Sequence, residues 1–158
     1  MASDGGVRAA WCELFDRYQV DLVLQGHNHV YERTDPIRAD RPTKVAGDNS
    51  TVDAETDGTV YYTVGCAGRP RYGFQPGEPE SYRGHEAPDT FVPNSYVWTA
   101  DGKKKAEAVG WSRVRFRNYA FIRVDVRPGQ LLSEMDVTAV DEHGREFDKV
   151  TYRRRVRA

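Results

Sequence analysis

The sequence lacks the features that mark membrane proteins and nucleic-acid-binding proteins. Its uninterrupted apolar runs are only a few residues long, whereas an α-helix needs about 20 apolar residues to cross a bilayer. Its 23 basic and 24 acidic residues leave a net charge of −1, so no overall field attracts nucleic acid or an anionic membrane surface. We therefore expect neither partner. The start of the chain also lacks the basic segment and apolar stretch of a signal peptide.

Cysteine is scarce as well, since the chain has only Cys12 and Cys66. Two cysteines make neither a disulfide framework nor a zinc knuckle. Cys12 lies within a helical pattern and Cys66 at the end of a predicted strand. This placement favours two free, buried thiols, and a disulfide between them is the alternative. Cysteine usage therefore leaves the cellular compartment open.

The pattern that opens the chain is typical of an α/β protein. The length of 158 residues, 39% of them hydrophobic, suits one domain. Residues 6–18 carry apolar side chains at the spacing of one helix face, at Val7, Trp11, Leu14, Phe15 and Tyr18. Residues 20–24 follow as a short apolar strand, which Gly26 ends while permitting a tight exit. A helix followed by such a strand predicts an αβ unit whose strand is buried on both faces.

The remainder of the chain is predicted to consist mostly of loops and antiparallel strands. Residues 33–57 are rich in turn-forming residues and predict a loop. The other segments are a strand at 58–66, a long loop rich in proline, glycine and aromatic residues at 67–95, a short strand at 95–99 and a meander at 112–155. Three antiparallel strands near 120–126, 131–140 and 147–154 form the meander, with one face in water. The class is therefore α/β by its opening and α+β for the whole chain.

Two of the four histidines lie in one short stretch, residues 26–29 (GHNH). In extended backbone His27 and His29 would point to the same side, just past a strand end that faces the ligand-binding crevice of open α/β sheets. Imidazole is the commonest neutral metal ligand, and its second ring nitrogen needs an acceptor. Glu32, Asp35 or a backbone carbonyl is available for that bond. The alternative is a partly buried histidine pair bonded to the backbone.

Residues 22–34 (LVLQGHNHVYERT) resemble the last conserved block of the calcineurin-like metallophosphoesterases. The likeness is greatest to the purple acid phosphatase branch, in which Gly-His-x-His is followed by Tyr-Glu-Arg. Residues 57–65 (DGTVYYTVG) resemble the strand after this block, and residues 118–152 resemble the C-terminal β meander of the family. The resemblance implies the C-terminal portion of a four-layer α/β/β/α sandwich. This chain would supply one outer helix, a few strands of the two central sheets and the closing meander.

The resemblance also implies a reaction and a set of site residues. Members of the family hold two metal ions, often ferric iron with zinc, manganese or iron, and hydrolyse phosphate esters with an activated hydroxide. His27 would then bind the divalent ion and His29 the ferric ion. Four neighbours would surround these ligands or face the substrate: Asn28, Tyr31, Glu32 and Arg33. For Tyr31 a place in the core is the favoured alternative, and for Glu32 and Arg33 an ion pair that supports the histidine loop.

The remaining metal ligands of the family are not found in this sequence. The family has an Asp-x-His, a Gly-Asp, a Gly-Asn-His and a further histidine upstream of this block, and none precedes residue 27. Residues 47–48 and 141–143 match two of these patterns by letter only, in a predicted loop and a predicted turn. We therefore expect an incomplete part of a phosphatase, which binds metal weakly and is inactive without the N-terminal part of the domain. The alternative is a non-catalytic β-rich binding or interaction module that retains a His-x-His pair.

Other polar residues leave their alternatives open. In the long loop, a phosphate-binding rim and a solvated loop packed by its own rings are equally compatible with Arg69, Arg71, Tyr72 and Tyr82. His85 is expected to be a solvated loop histidine. For the arginines at 153–157 a strand end in water is favoured over a nucleic-acid tail. Many relatives in the resembled family are exported, so a secreted or extracytoplasmic location is compatible with the resemblance.

Overall fold

One helix and thirteen strands form in the part of the chain that the computed structural model describes, residues 7–68, 70–71, 82–83, 94–98 and 102–156. Helix α1 spans Val7–Arg17. The strands are β1 (Leu22–Gln25), β2 (Tyr31–Thr34), β3 (Ile37–Arg38), β4 (Arg41–Pro42), β5 (Ser50–Asp53), β6 (Val60–Val64), β7 (Tyr82–Arg83), β8 (Asn94–Trp98), β9 (Lys104–Ala108), β10 (Ser112–Phe116), β11 (Ala120–Arg127), β12 (Leu132–Asp141) and β13 (Glu146–Arg155). One helix with many strands confirms the predicted mixed class, α+β in this chain.

Five strands make sheet one, in the order β1-β6-β2-β10-β7. Strands β1 and β6 are parallel, with Leu22 opposite Val60, as expected of an αβ unit. The other pairs are antiparallel. Strand β10 belongs to this sheet, although its residues open the segment 112–155 that was predicted as one meander.

Sheet two has the order β11-β12-β13-β5. Its three long strands are antiparallel and confirm the predicted meander near 120–126, 131–140 and 147–154. Strand β5 adds to β13 in parallel. The prediction of a loop at 33–57 is therefore wrong in part, because this segment contains the end of β2 and the strands β3, β4 and β5. These short strands form by pairing with segments distant in the chain, and for this reason their turn-rich local sequence does not predict them.

Sheet one lies between helix α1 and sheet two. Alternate residues of β6 show this arrangement, since Tyr61 contacts Phe15 of the helix, with ring centroids 6.2 Å apart. The hydroxyl of Tyr62 lies 2.8 Å from that of Tyr152 in sheet two. The core between the sheets is built mainly from valine and tyrosine, at Tyr31, Val52, Val60, Tyr62, Val114, Val137, Val150 and Tyr152. The described residues thus form three layers, α/β/β, as expected for part of an α/β sandwich.

The predicted burial of the helix and of β1 is wrong in detail. Helix α1 packs through Phe15 and Cys12, both near Tyr61, whereas Trp11 and Tyr18 of the predicted apolar face stay exposed. Strand β1 is not buried on both faces, since Leu24 is 51% exposed. The reason is topological, because β1 lies at the edge of sheet one among the described strands, where it pairs with β6.

Three further predictions can be compared with the described residues. Cys12 and Cys66 are both free thiols, as favoured, but only Cys66 is buried, and Cys12 is partly exposed. Strand β8 confirms the short strand predicted at 95–99, but most of the long loop at 67–95, including His85, lies outside the described residues. Within the described part of the chain, no helix has the length and apolar character needed to span a membrane.

Candidate metal-binding site

Three connections of the chain meet at one edge of sheet one, and we call this region the three-loop site. They are residues 26–30 after β1, residues 65–68 with 70–71 after β6, and residues 117–119 between β10 and β11. Because β1 and β6 are parallel, their carboxyl ends lie at the same edge, where open α/β sheets bind ligands. The sheet order places the first connection across the end of β6, since β6 lies between β1 and β2.

His27 occupies a tight turn rather than extended backbone. The Asn28 amide donates to the carbonyl of Gly26 at 2.9 Å, and His27 between them has a φ of 70°. This is the geometry of a γ-turn, which is rare and strained for a residue that is not glycine. The assumption of extended backbone was wrong, and with it the argument that both histidines point to one side. The chain turns here because it must cross the end of β6 to enter β2.

Gly65, at the end of β6, is the glycine that this loop requires. A Cβ atom built on Gly65 would lie 2.1 Å from the carbonyl oxygen of Asn28 and 2.8 Å from its carbonyl carbon. The Gly65 amide also donates to the carbonyl of Val30 at 3.3 Å. Gly26, which was expected to permit the tight exit, has open space around its Cβ position and no left-handed φ. His27 takes the unusual conformation in its place.

His29 is held through one ring nitrogen by a residue far along the chain. Its Nδ1 lies 2.7 Å from the carbonyl oxygen of Pro70. A carbonyl oxygen can only accept, so Nδ1 carries the proton and donates it. In the neutral ring the lone pair is then on Nε2, as in metal-binding histidines whose other nitrogen is fixed by an acceptor. Of the predicted acceptors, a backbone carbonyl takes this role, and Glu32 and Asp35 have other partners.

The donor chemistry of this site fits a metal ion, but the number of donors is small. His27 is exposed and His29 is partly exposed, and both offer imidazole nitrogen. No group of three or more His, Cys, Asp or Glu side chains that could hold a metal ion is found among the described residues. Zinc sites in proteins usually have three or four protein ligands. These two histidines therefore fit part of a metal site.

Glu32, three residues after His29, is buried and pairs with residues of β10. Its carboxylate accepts from the Ser112 hydroxyl at 2.5 Å and from Arg115 Nε at 3.1 Å. Arg115 is itself buried, so a compact ionic cluster joins β2 to β10. Asp35, just after β2, makes a similar bidentate pair with Arg113, at 2.9 and 2.5 Å.

Tyr31 and Arg33 lie on the opposite face of β2, in the core. Both are fully buried, and both bind Asp148 of sheet two. The Tyr31 hydroxyl donates to Asp148 Oδ2 at 2.6 Å, while Arg33 donates to both carboxylate oxygens at 2.6 and 2.8 Å. Tyr31, Glu32 and Arg33 were considered either as neighbours of the metals and substrate or as residues that support the histidine loop. Their burial fits the supporting role. Asn28 contributes its backbone carbonyl, which packs on Gly65.

Arg71 connects the second and third connections of the three-loop site. Its Nη1 donates to the side-chain oxygen of Asn118. Its guanidinium carbon lies 5.4 Å from the ring centroid of Tyr119, within the range of a cation–π contact. Nearby, the Cys66 thiol donates to the carbonyl of Ala120 at 3.5 Å. Among the four predicted rim residues, only the Arg71 side chain lies within the described part of the chain.

The two sequence matches to other ligand patterns have structural roles. Asp48 accepts the backbone amide of Lys149 at 2.9 Å, and Asp141 accepts the amides of His143 and Arg145, both at 2.9 Å. Each carboxylate therefore organises a turn beside sheet two. Sequence reasoning had no means to find Gly65, Pro70 or Asn118 as parts of the site, since each is far from the histidines along the chain.

Comparisons with known proteins give relatives but few functions. No protein family model matches the chain. Two proteins of Mycobacterium tuberculosis, from strains CDC 1551 and H37Rv, are each 34% identical over 148 residues, which covers 81% of this chain. Both are described as uncharacterized. The chain spans 25% of the length of each of these curated relatives.

One solved structure is also similar. A purple acid phosphatase isolated from yellow lupin (Lupinus luteus) seeds superimposes with a TM-score of 0.49 and 20% sequence identity. The match covers 88% of this chain and 18% of the lupin chain. This chain is therefore much shorter than these three proteins.

Proposed function

We propose that this chain is the C-terminal, metal-binding part of a metal-dependent phosphoric ester hydrolase of the purple acid phosphatase type. The observation that carries the proposal is the position of residues 26–33 (GHNHVYER). They follow a parallel strand at the carboxyl edge of sheet one, and the Nδ1–H of His29 is fixed by Pro70. Burial of Tyr31, Glu32 and Arg33 gives this loop a rigid base.

The residues have separate tasks in the proposed enzyme. A pair of metal ions would supply an activated hydroxide and charge neutralisation for attack on a phosphate ester. His29 Nε2 and a ring nitrogen of His27 would each hold one ion. Further ligands, including a bridging carboxylate, would come from the N-terminal part of the domain. Without them we expect weak metal binding and no hydrolysis by the 158-residue chain.

Zinc titration of the ¹⁵N-labelled chain tests the metal-binding role. We expect Zn²⁺ to shift Nε2 of His29 and a ring nitrogen of His27 in histidine NMR spectra. The double substitution of both residues by alanine should abolish these shifts, while His143→Ala, in an exposed turn, should leave them intact. Zinc-induced shifts that persist in the double variant would refute the metal-binding role. A stoichiometric two-metal centre that hydrolyses p-nitrophenyl phosphate would refute the expected inactivity.

A non-catalytic module with a retained histidine pair is the second candidate. Both functions are compatible with the absence of a group of three metal ligands among the described residues. The coding DNA upstream of Met1 distinguishes the two functions. An in-frame series of Asp-x-His, Gly-Asp and Gly-Asn-His supports the hydrolase, whereas a stop codon close upstream supports the module.

A further inference from the structure

We infer that Arg71 is a phosphate-binding residue of the three-loop site, where its guanidinium takes the phosphate oxyanion of the substrate. The inference rests on the proposed function and adds a substrate contact to it. Arg71 follows Pro70, whose carbonyl oxygen lies 2.7 Å from His29 Nδ1. Standard backbone dimensions then place the Arg71 Cα within about 6 Å of that nitrogen. The Arg71 backbone therefore lies beside the His29 ring, within the same site.

The Arg71 side chain is held in place although Arg71 is exposed. Asn118 accepts one N–H of the guanidinium, and the ring of Tyr119 lies 5.4 Å away. A guanidinium has five N–H donors, and the hydrogen bond to Asn118 engages one of them. These contacts orient the group without neutralising it, because an amide oxygen and an aromatic ring carry no formal charge.

Like Arg38, whose guanidinium donates to backbone carbonyls, Arg71 differs from the arginines that pair with carboxylates. In the described part of the chain, no carboxylate forms an ion pair with Arg71. Ion pairs to Asp or Glu are made by Arg8, Arg33, Arg113, Arg115, Arg123, Arg127, Arg145, Arg153 and Arg154. An oriented guanidinium without a carboxylate partner is suited to an external anion. Its planar fork matches the spacing of phosphate oxygens, so that two parallel hydrogen bonds can form.

Titration of the chain with inorganic phosphate tests the inference. Arginine Nε resonances are followed by ¹⁵N NMR without metal and at constant ionic strength, with chloride as the comparison anion. We expect phosphate to shift the Arg71 resonance at millimolar concentration, and Arg71→Ala to weaken phosphate binding by about tenfold. Arg71→Lys should recover only a part, since lysine keeps the charge and loses the fork. Asn118→Ala should weaken binding with the charge intact.

Arg123→Ala is the matched control, because Arg123 is an exposed arginine paired with Asp125 and Glu146 in sheet two. It should bind phosphate like the unmodified chain. Equal phosphate affinity of the Arg71→Ala variant, or no phosphate shift at Arg71 in the unmodified chain, would overturn the inference. If zinc shifts both histidines while Arg71 does not affect phosphate binding, the inference fails and the proposed function stands. Phosphate binding through Arg71 without zinc shifts would refute the metal site and keep the anion site.

Discussion

His27 adopts a conformation that costs a non-glycine residue free energy, and this cost bears on its role. Its φ of 70° lies in a γ-turn, and such strained residues cluster at functional sites. The side chain is exposed, so its packing offsets little of this free-energy cost. We regard the strain as a reason to favour a functional role over a structural one.

Substitution of His27 by glycine should therefore stabilise the chain. Relief of the strained conformation should raise the free energy of unfolding. The greater entropy of glycine in the unfolded state opposes this gain, and we expect a net increase of about 1 kcal/mol. Urea unfolding measures this change, and the histidine zinc shift should disappear in the same variant. His143→Gly, at a turn residue without positive φ, should bring no such gain. A loss of stability in the His27→Gly variant would show that the imidazole has a structural role.

Gly65 controls the histidine loop by leaving room for its backbone. In the Gly65→Ala variant the new methyl group would meet the Asn28 carbonyl, which cannot move alone. We expect a loss of about 1–3 kcal/mol in the free energy of unfolding, as for overpacking, and altered zinc shifts of His27 and His29. Gly26→Ala is the control, since its Cβ would have open space. Equal stability of the two variants would contradict this account.

Buried ion pairs on alternate faces of strand β2 anchor it to β10 within sheet one and to sheet two. Glu32 pairs with Arg115 of β10, and Arg33 pairs with Asp148 of β13 in the other sheet. Burial lowers the pKa of Arg33, but the adjacent Asp148 carboxylate outweighs it and raises that pKa well above its usual value. Burial, together with Asp148, also raises the pKa of Tyr31 well above its usual value. Both groups therefore remain protonated and can donate to Asp148.

Removal of Asp148 should be among the most destabilising single changes. In Asp148→Ala the Arg33 guanidinium would stay buried without its carboxylate, which costs about 3–5 kcal/mol. Asp125→Ala removes the partner of Arg123 in an exposed pair and should change stability far less. Urea denaturation followed by circular dichroism compares the two variants. Similar losses for both would show that the buried pair does not tie the sheets together.

The outer face of sheet two carries an ionic network around Asp136, in agreement with the predicted wet face of the meander. Asp136 accepts from Arg127 at 2.9 and 3.0 Å and from Thr151 at 2.7 Å, and Lys149 lies at 3.0 Å. The hydrogen bonds from Arg127, aided by those from Thr151 and Lys149, lower the pKa of Asp136 well below its usual value, although burial opposes this shift.

This lowered pKa predicts a dependence of stability on acid. A carboxyl group with a depressed pKa in the folded state contributes stability above its unfolded pKa of about 3.9, and the contribution is lost as pH falls further. Asp136→Asn should therefore reduce stability at pH 6 and approach the unmodified chain in stability below pH 3. Urea midpoints across this range measure the difference. A constant difference between the two proteins would exclude titration of Asp136 as its source.

At the scale of the whole molecule, one side of helix α1 exposes apolar side chains to water. Trp11, Leu14 and Tyr18 follow one another at the spacing of a helix face, and Tyr18 is 71% exposed. Helix α1 contacts β6 through Phe15 instead. Contiguous exposed apolar surface of this kind promotes association.

We therefore expect the purified chain to associate as its concentration rises. Leu14→Lys places a charge in the centre of this helix face and should shift the sedimentation profile towards monomer. Val45→Lys, at an exposed apolar residue outside the helices and strands, should leave the profile unchanged. An unmodified chain that is monomeric at all concentrations, with cooperative unfolding, would contradict this prediction.

Much of the secondary structure and one part of the site could be inferred from local sequence. Periodicity located the helix at 6–18, the strands near 20–24 and 58–66, and the three long strands of sheet two. The GHNH stretch at 26–29 identified the two histidines, since the ligand spacing of a short motif can be recognised without knowledge of distant residues. These features depend on neighbours within a few positions of each other, and such neighbours are what a single sequence displays.

The tertiary structure decided which distant residues complete those local features. The acceptor for His29 is 41 residues away, and the carboxylate partner of Arg33 is 115 residues away. Neither separation has a period or motif that one sequence reveals. The order of the strands made β1 an edge strand and directed residues 26–30 across the end of β6, so that His27 had to turn against Gly65. Contacts of this kind exist only once the sheets have formed, because it is their pairing that brings residues remote in the chain within bonding distance.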